Sequence, residues 1–115
     1  MIEVEPDRFE EMVVTALDSL PEELGRLMTN VAVTVEHGPG PPGLLGLYQG
    51  IPLTRRSSSY AAVPPDKITI YRRPIERVAG TDPARLRLEI QHVVIHEIAH
   101  HFGISDERLI ELDRY

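Results

Sequence analysis

Between residues 6 and 20 apolar side chains return at steps of three and four: Phe9, Met12, Val13, Ala16, Leu17 and Leu20. That period lays them along one stripe of an α-helix, and Pro6 with Asp7 suits a first helical turn, where a proline loses no hydrogen bond and an acid meets the positive end of the helix. The spacing predicts an N-terminal amphipathic helix with its stripe towards the core. Pro21 interrupts it, and residues 21–28 read as a short extra helical turn. The period then falls to two. Val31, Val33 and Val35 alternate within residues 30–36, which predicts a strand with one buried face. The run His37-Gly38-Pro39-Gly40-Pro41-Pro42-Gly43 ends it as a stiff exposed connection, with His37 expected in solvent.

Residues 44–49 predict a second short strand, and residues 50–59 a long loop that is a candidate wall or lid. Ile68, Ile70 and Arg72 alternate with Thr69 and Tyr71, so residues 67–72 predict a third strand. Pro74 is expected to stop that strand, with a turn of helix over residues 74–78. Thr81-Asp82-Pro83 is a helix start, with Thr81 or Asp82 as cap. Leu86, Ile90, Val93, Val94 and Ile98 then carry an apolar face through a helix of about 20 residues. Gly103 is placed to end it, and Ser105 to cap a last short helix over residues 107–114. Helices segregated from a few strands predict an α+β domain with helices on one face of a small sheet.

Composition narrows the function. A length of 115 residues with 42% hydrophobic content fits one domain spanning 1–115. No window reaches the roughly 18 apolar residues of a membrane span. The opening Met1-Ile2-Glu3-Val4-Glu5 is acidic, unlike a secretory signal. The absence of cysteine removes disulfides and thiolate metal sites and fits a reducing compartment, so the expectation is a cytoplasmic protein with no membrane partner. A net charge of −6 argues against nucleic acid as partner. Arg55-Arg56 and Arg72-Arg73 with Arg77 are read as solvated surface.

The chemistry gathers in His96-Glu97-Ile98-Ala99-His100-His101-Phe102-Gly103-Ile104-Ser105-Asp106, an HExxHxxGxxD pattern. Residues four apart share a helix face, so His96 and His100 can direct ring nitrogens to one ion about 2.0–2.1 Å away. Glu97, about 100° around the helix from His96, is poorly placed as a ligand and well placed to take a proton from a water at the ion. Gly103, lacking a Cβ, can adopt the left-handed conformation that turns the chain back and brings Asp106 in from off the helix. With this chain's composition HExxH arises by chance in roughly 2% of such sequences, and the extended motif in about one in ten thousand. His92 lies one turn too early to share the ion with both other histidines and is read as a packing or supporting group. His101 points elsewhere and is read as satisfied or solvated. Tyr48, Tyr60, Tyr71 and Tyr115 are candidate transition-state stabilisers.

These residues resemble the zincin metallopeptidases, and among them the metzincin-like group in which a glycine redirects the chain to a third ligand. The chain as a whole, including Gly46-Leu47-Tyr48-x-Gly50-x-Pro52-Leu53-Thr54, looks like a small bacterial family of predicted zincin-like metalloproteases. The resemblance implies a zincin-like α+β fold with a small mixed sheet of about three strands, a long active-site helix and an N-terminal helix. It implies Zn2+ held by His96, His100 and Asp106, with one position open and Glu97 as general base. It also implies a peptide or protein substrate lying extended along a sheet edge, for which residues 67–72 are the expected strand. Glu107, Glu111 and Asp113 are second-choice ligands. Metzincins carry a methionine turn below the metal, whereas the methionines here are Met1, Met12 and Met28. The floor of the site is therefore expected to be built differently.

Two functions follow. The first is a zinc-dependent metalloendopeptidase. The second is a zinc-containing, non-catalytic binding module that docks a partner through residues 43–59. Glu97 favours the enzyme, because a purely structural metal site gains nothing from an unligated carboxylate beside the ion.

Overall fold

In the computed structural model, the described residues are 4–20, 22, 28, 31–50 and 66–103. They form, in order, helix α1 (Pro6–Asp18), strands β1 (Val31–Glu36), β2 (Gly46–Gln49) and β3 (Asp66–Tyr71), and helices α2 (Arg72–Ala79) and α3 (Pro83–His101). The expected turn at residues 21–28, the loop over residues 51–59 and the last helix over residues 107–114 lie outside the described residues. No helix among them is long and apolar enough to cross a membrane.

The sheet is mixed, in the order β1-β3-β2. β3 pairs in parallel with β1, from Val31 opposite Asp66 to Glu36 opposite Tyr71, and antiparallel with β2, from Gly46 opposite Ile70 to Gln49 opposite Lys67. β3 is therefore the central strand. This corrects the expectation that it offers an edge to substrate: its hydrogen-bonding groups are taken on both sides, and among the described residues β1 and β2 are the edges.

Each expected apolar stripe contributes to one core. Phe9, Val13 and Ala16 of α1 meet Ile68 and Ile70 of β3, Ile75 of α2, and Leu86, Ile90, Val94 and Ile98 of α3. Val31, Val33 and Val35 pack against it from β1. Asp82 caps α3 by accepting from the Ala84 N–H at 2.9 Å, which satisfies one of the donors a helix start leaves without a partner. Gly103, with φ 78°, turns left-handed just past the end of α3, where a side chain would be strained.

α2 departs from the expected course. It starts at Arg72, directly after β3, and Pro74 lies inside its first turn. A proline is tolerated there because that N–H has no intrahelical acceptor. Arg72 is not solvated surface either. It is 6% exposed, and its guanidinium lies 3.3 Å from Glu76, which is fully buried. A buried pair of this kind needs further hydrogen bonds to offset its desolvation. Val4 supplies two: its N–H donates to Glu76 at 2.8 Å, and its carbonyl accepts from Arg72 at 3.1 Å. Arg72 Nε also donates to His37 Nδ1 at 2.9 Å, and the other nitrogen of that ring lies 3.3 Å from Glu10. His37, its side chain 31% exposed, is thus a bonded link between the end of β1, α1 and α2 as well as a partly solvated residue.

Candidate metal centre

α3 carries the site because its motif face lies against β2. Its middle buries Ile90, Val93 and Val94, and the same helix then presents His96, Glu97 and His100 on the side facing β2. Strand and helix enclose a cleft of about 350 Å³, with residues 43–48 as one wall and Glu89, His92, Val93, His96, Glu97 and His100 as the other. β2 comes this close because residue 46 is glycine. A Cβ there would stand 2.8 Å from Val93 and 3.0 Å from Glu97 Cγ, inside the range that real side chains avoid. Alanine at position 46 is therefore expected to push β2 and the Glu97 side chain apart. We expect a stability loss of about 1–3 kcal/mol. Thermal denaturation of the variant measures it.

The His96 and His100 rings stand edge to face, with centroids 4.7 Å apart. Glu97 lies between them: one carboxylate oxygen is 3.5 Å from His96 Nδ1 and the other 3.5 Å from His100 Nδ1. The imidazoles are part-exposed to the cleft, whereas Glu97 is 5% exposed. One ligand atom from each of the three residues falls within 4.8 Å of the others. Ligand atoms around a tetrahedral ion stand roughly 3.4 Å apart, so small side-chain rotations bring both imidazoles onto one ion. The donors fit a divalent metal of borderline softness, and with no thiolate in the chain the choice falls among metals that accept nitrogen and oxygen. A carboxylate against the two ring nitrogens can take and return a proton in the same space.

Of the residues expected at the site, the structure brings His96, Glu97 and His100 together, while Asp106 lies outside the described residues. His92 lines the cleft one turn before His96.

His101 is fully buried, and its Nδ1 lies 2.9 Å from Asp66 Oδ2. The Tyr48 hydroxyl donates to the same oxygen at 2.7 Å, and the rings of Tyr48 and His101 meet edge-on at 5.9 Å. One carboxylate, 1% exposed, thus ties the end of β2 and the start of β3 to the residue following His100. Gly50 lies over this group so closely that a Cβ would overlap the Asp66 carboxyl. Asp66 escapes a sequence reading because after Pro64-Pro65 it looks like an ordinary strand leader. The available signal is an acid at a strand start in a chain with an extra histidine beside the motif. Tyr48, expected among the transition-state stabilisers, has its hydroxyl engaged by Asp66, and Tyr71 is buried beside Gly40. Tyr60 and Tyr115 lie outside the described residues.

A search among curated proteins found no match. The sequence model of the zincin-like metallopeptidases matches residues 28–115, taking in all three strands, α2 and α3 with its histidines. A three-stranded mixed sheet crossed by a long helix bearing His96, Glu97 and His100 is consistent with that fold. The chain belongs to the family of zincin-like metallopeptidases.

Proposed function

We propose that the chain is a zinc-dependent metalloendopeptidase, with His96, His100 and Asp106 as metal ligands and Glu97 as the general base. The observation that carries this reading is the position of Glu97, buried in the cleft wall with an oxygen 3.5 Å from each imidazole. Two histidines suffice to suggest a metal; the carboxylate between them suggests that a proton is moved there.

Bound zinc would supply a Lewis acid for the scissile carbonyl and lower the pKa of the attacking water. Glu97 takes the proton of that water as it adds to the carbonyl carbon. It then delivers the proton to the amide nitrogen as the C–N bond breaks, so that one residue acts first as base and then as acid. Burial of Glu97 among Val93, Gly46 and the two imidazoles keeps bulk water from competing for the proton. The strand β2, an edge among the described residues, borders the cleft, and its outer side is suited to backbone pairing with an extended peptide. Pairing of that kind holds the scissile bond beside α3 without reading side chains. A peptide or protein substrate, not a nucleic acid or a membrane, fits a net charge of −6. The absence of cysteine is in keeping with a cytoplasmic enzyme.

Incubating the zinc-loaded protein with a mixed peptide library and reading new termini by mass spectrometry tests the proposal. Cleavage is expected. Tight zinc binding with no cleavage of any peptide would leave the non-catalytic binding module as the function.

A further inference from the structure

The cleft is not chemically uniform along its length. Around Glu97 its wall is made by histidines and by the bare backbone at Gly46. Towards the start of α3 it is lined by Leu44, Leu45 and Val93, with Glu89 beyond them. Among the described residues, Glu89 is the one acidic residue lining it apart from Glu97. Its side chain is 21% exposed, and the cation nearest to it among the described residues, Arg85, stands 3.9 Å away on a 59% exposed side chain. That distance is beyond hydrogen-bonding range. An exposed pair one turn apart on a helix contributes little, so Glu89 keeps its capacity to accept from a group entering the cleft.

Distance selects what that group is. Glu89 lies eight residues before Glu97 on the same helix, about 12 Å along its axis, and its own side chain spans about 3 Å of that. An extended peptide advances about 3.3 Å per residue. An extended lysine or arginine side chain reaches roughly 6–7 Å beyond its Cα. A residue next to a bond held beside Glu97 can therefore bring a cationic head to Glu89 while its methylenes lie on Leu44, Leu45 and Val93. Long basic side chains bury their stems on apolar surface and keep the head on a polar partner. Aspartate or glutamate at the same place would meet Glu89 and the field of a chain carrying −6. A neutral aliphatic residue would fill the apolar part and leave the half-buried carboxylate unanswered.

We propose that this end of the cleft is a subsite for lysine or arginine beside the scissile bond, with Glu89 as the specificity-determining residue. The inference rests on the peptidase reading for its link to cleavage, but the binding preference is measurable without turnover. Peptides identical except for one scanned residue, lysine, arginine, norleucine or glutamate, are titrated by fluorescence anisotropy against zinc-loaded Glu97→Gln protein. Lysine and arginine peptides are expected to bind about tenfold more tightly than the norleucine peptide. The difference is expected to vanish when Glu89→Gln is added and to shift in favour of glutamate with Glu89→Lys, each variant being checked for the wild-type circular dichroism spectrum. Equal affinities for lysine and norleucine, a preference that survives Glu89→Gln, or no binding at all would overturn the proposal. Cleavage by the wild-type protein is read separately. Cuts with no enrichment of basic flanking residues overturn the subsite and leave the peptidase. A Glu89-dependent preference in binding without any cleavage supports the subsite and removes the peptidase.

Discussion

Replacing Glu97 by glutamine is expected to lower peptide hydrolysis by about 10²–10⁴-fold while leaving the metal in place. Glutamine keeps the size and planar shape of the side chain, so Val93, Gly46 and the imidazoles retain their neighbour. What changes is basicity: an amide cannot take the proton of the attacking water or carry it to the leaving nitrogen. The loss should appear in kcat, since a peptide paired with β2, as proposed, would make no contact that the exchange removes. Hydrolysis of a fluorogenic peptide, with zinc measured by elemental analysis on the same sample, separates the two effects. A variant that retains both zinc and full activity would remove Glu97 from the mechanism. A variant that loses zinc would assign Glu97 to metal binding instead of proton transfer.

The largest expected loss of stability comes from Asp66. Its carboxylate is 1% exposed and joins the Tyr48 hydroxyl, 2.7 Å away, to His101 Nδ1, 2.9 Å away on a fully buried ring. Alanine there removes the acceptor from both donors in a space that water does not reach freely. Taking a buried charged acceptor away from its donors costs about 3–5 kcal/mol. For a chain of this size that corresponds to a fall in melting temperature of more than roughly 10 °C. Asparagine, which preserves one acceptor oxygen, is expected to cost less. Differential scanning fluorimetry of both variants is the check, and a shift of less than about 2 °C for the alanine variant would show that the network contributes little. His101 directly follows His100, so a loosened Asp66 also frees the last turn of α3. The alanine variant should therefore bind zinc more weakly even at temperatures where it remains folded.

Those parts of the structure set by local rules are the parts the sequence discloses. The stripe from Phe9 to Leu17 and the run from Leu86 to Ile98 obey the helical period, and Asp82 and Gly103 mark the two ends of α3 by capping chemistry that depends only on neighbouring residues. His96, Glu97 and His100 are legible for the same reason, because one turn of helix is enough to bring them together. Strand order is not local. Residues 67–72 are expected at a sheet edge only by resemblance, since their alternation says which face is buried and nothing about which strands flank them. Only the pairing with β1 on one side and β2 on the other shows that β3 is central. Arg72 shows a similar limit: a doublet of arginines looks like surface until Glu76, Val4 and His37 are seen around it. Asp66 and His101 are separated by 35 residues, and no periodicity connects them. Gly46 is the subtlest of these cases, because its role is the space it leaves for Val93 and Glu97.

In the proposed function, His96 and His100 hold a metal ion on which hydrolysis depends. The most direct test measures zinc content and peptide cleavage together in the wild-type protein as purified, after chelation, and after zinc is restored, with His96→Ala and His100→Ala beside it. One zinc per wild-type chain is expected, with cleavage that disappears on chelation and returns with zinc, and neither stoichiometric zinc nor cleavage in the histidine variants. Cleavage that persists in the stripped protein, or zinc retained in full after both histidines are replaced, would contradict it.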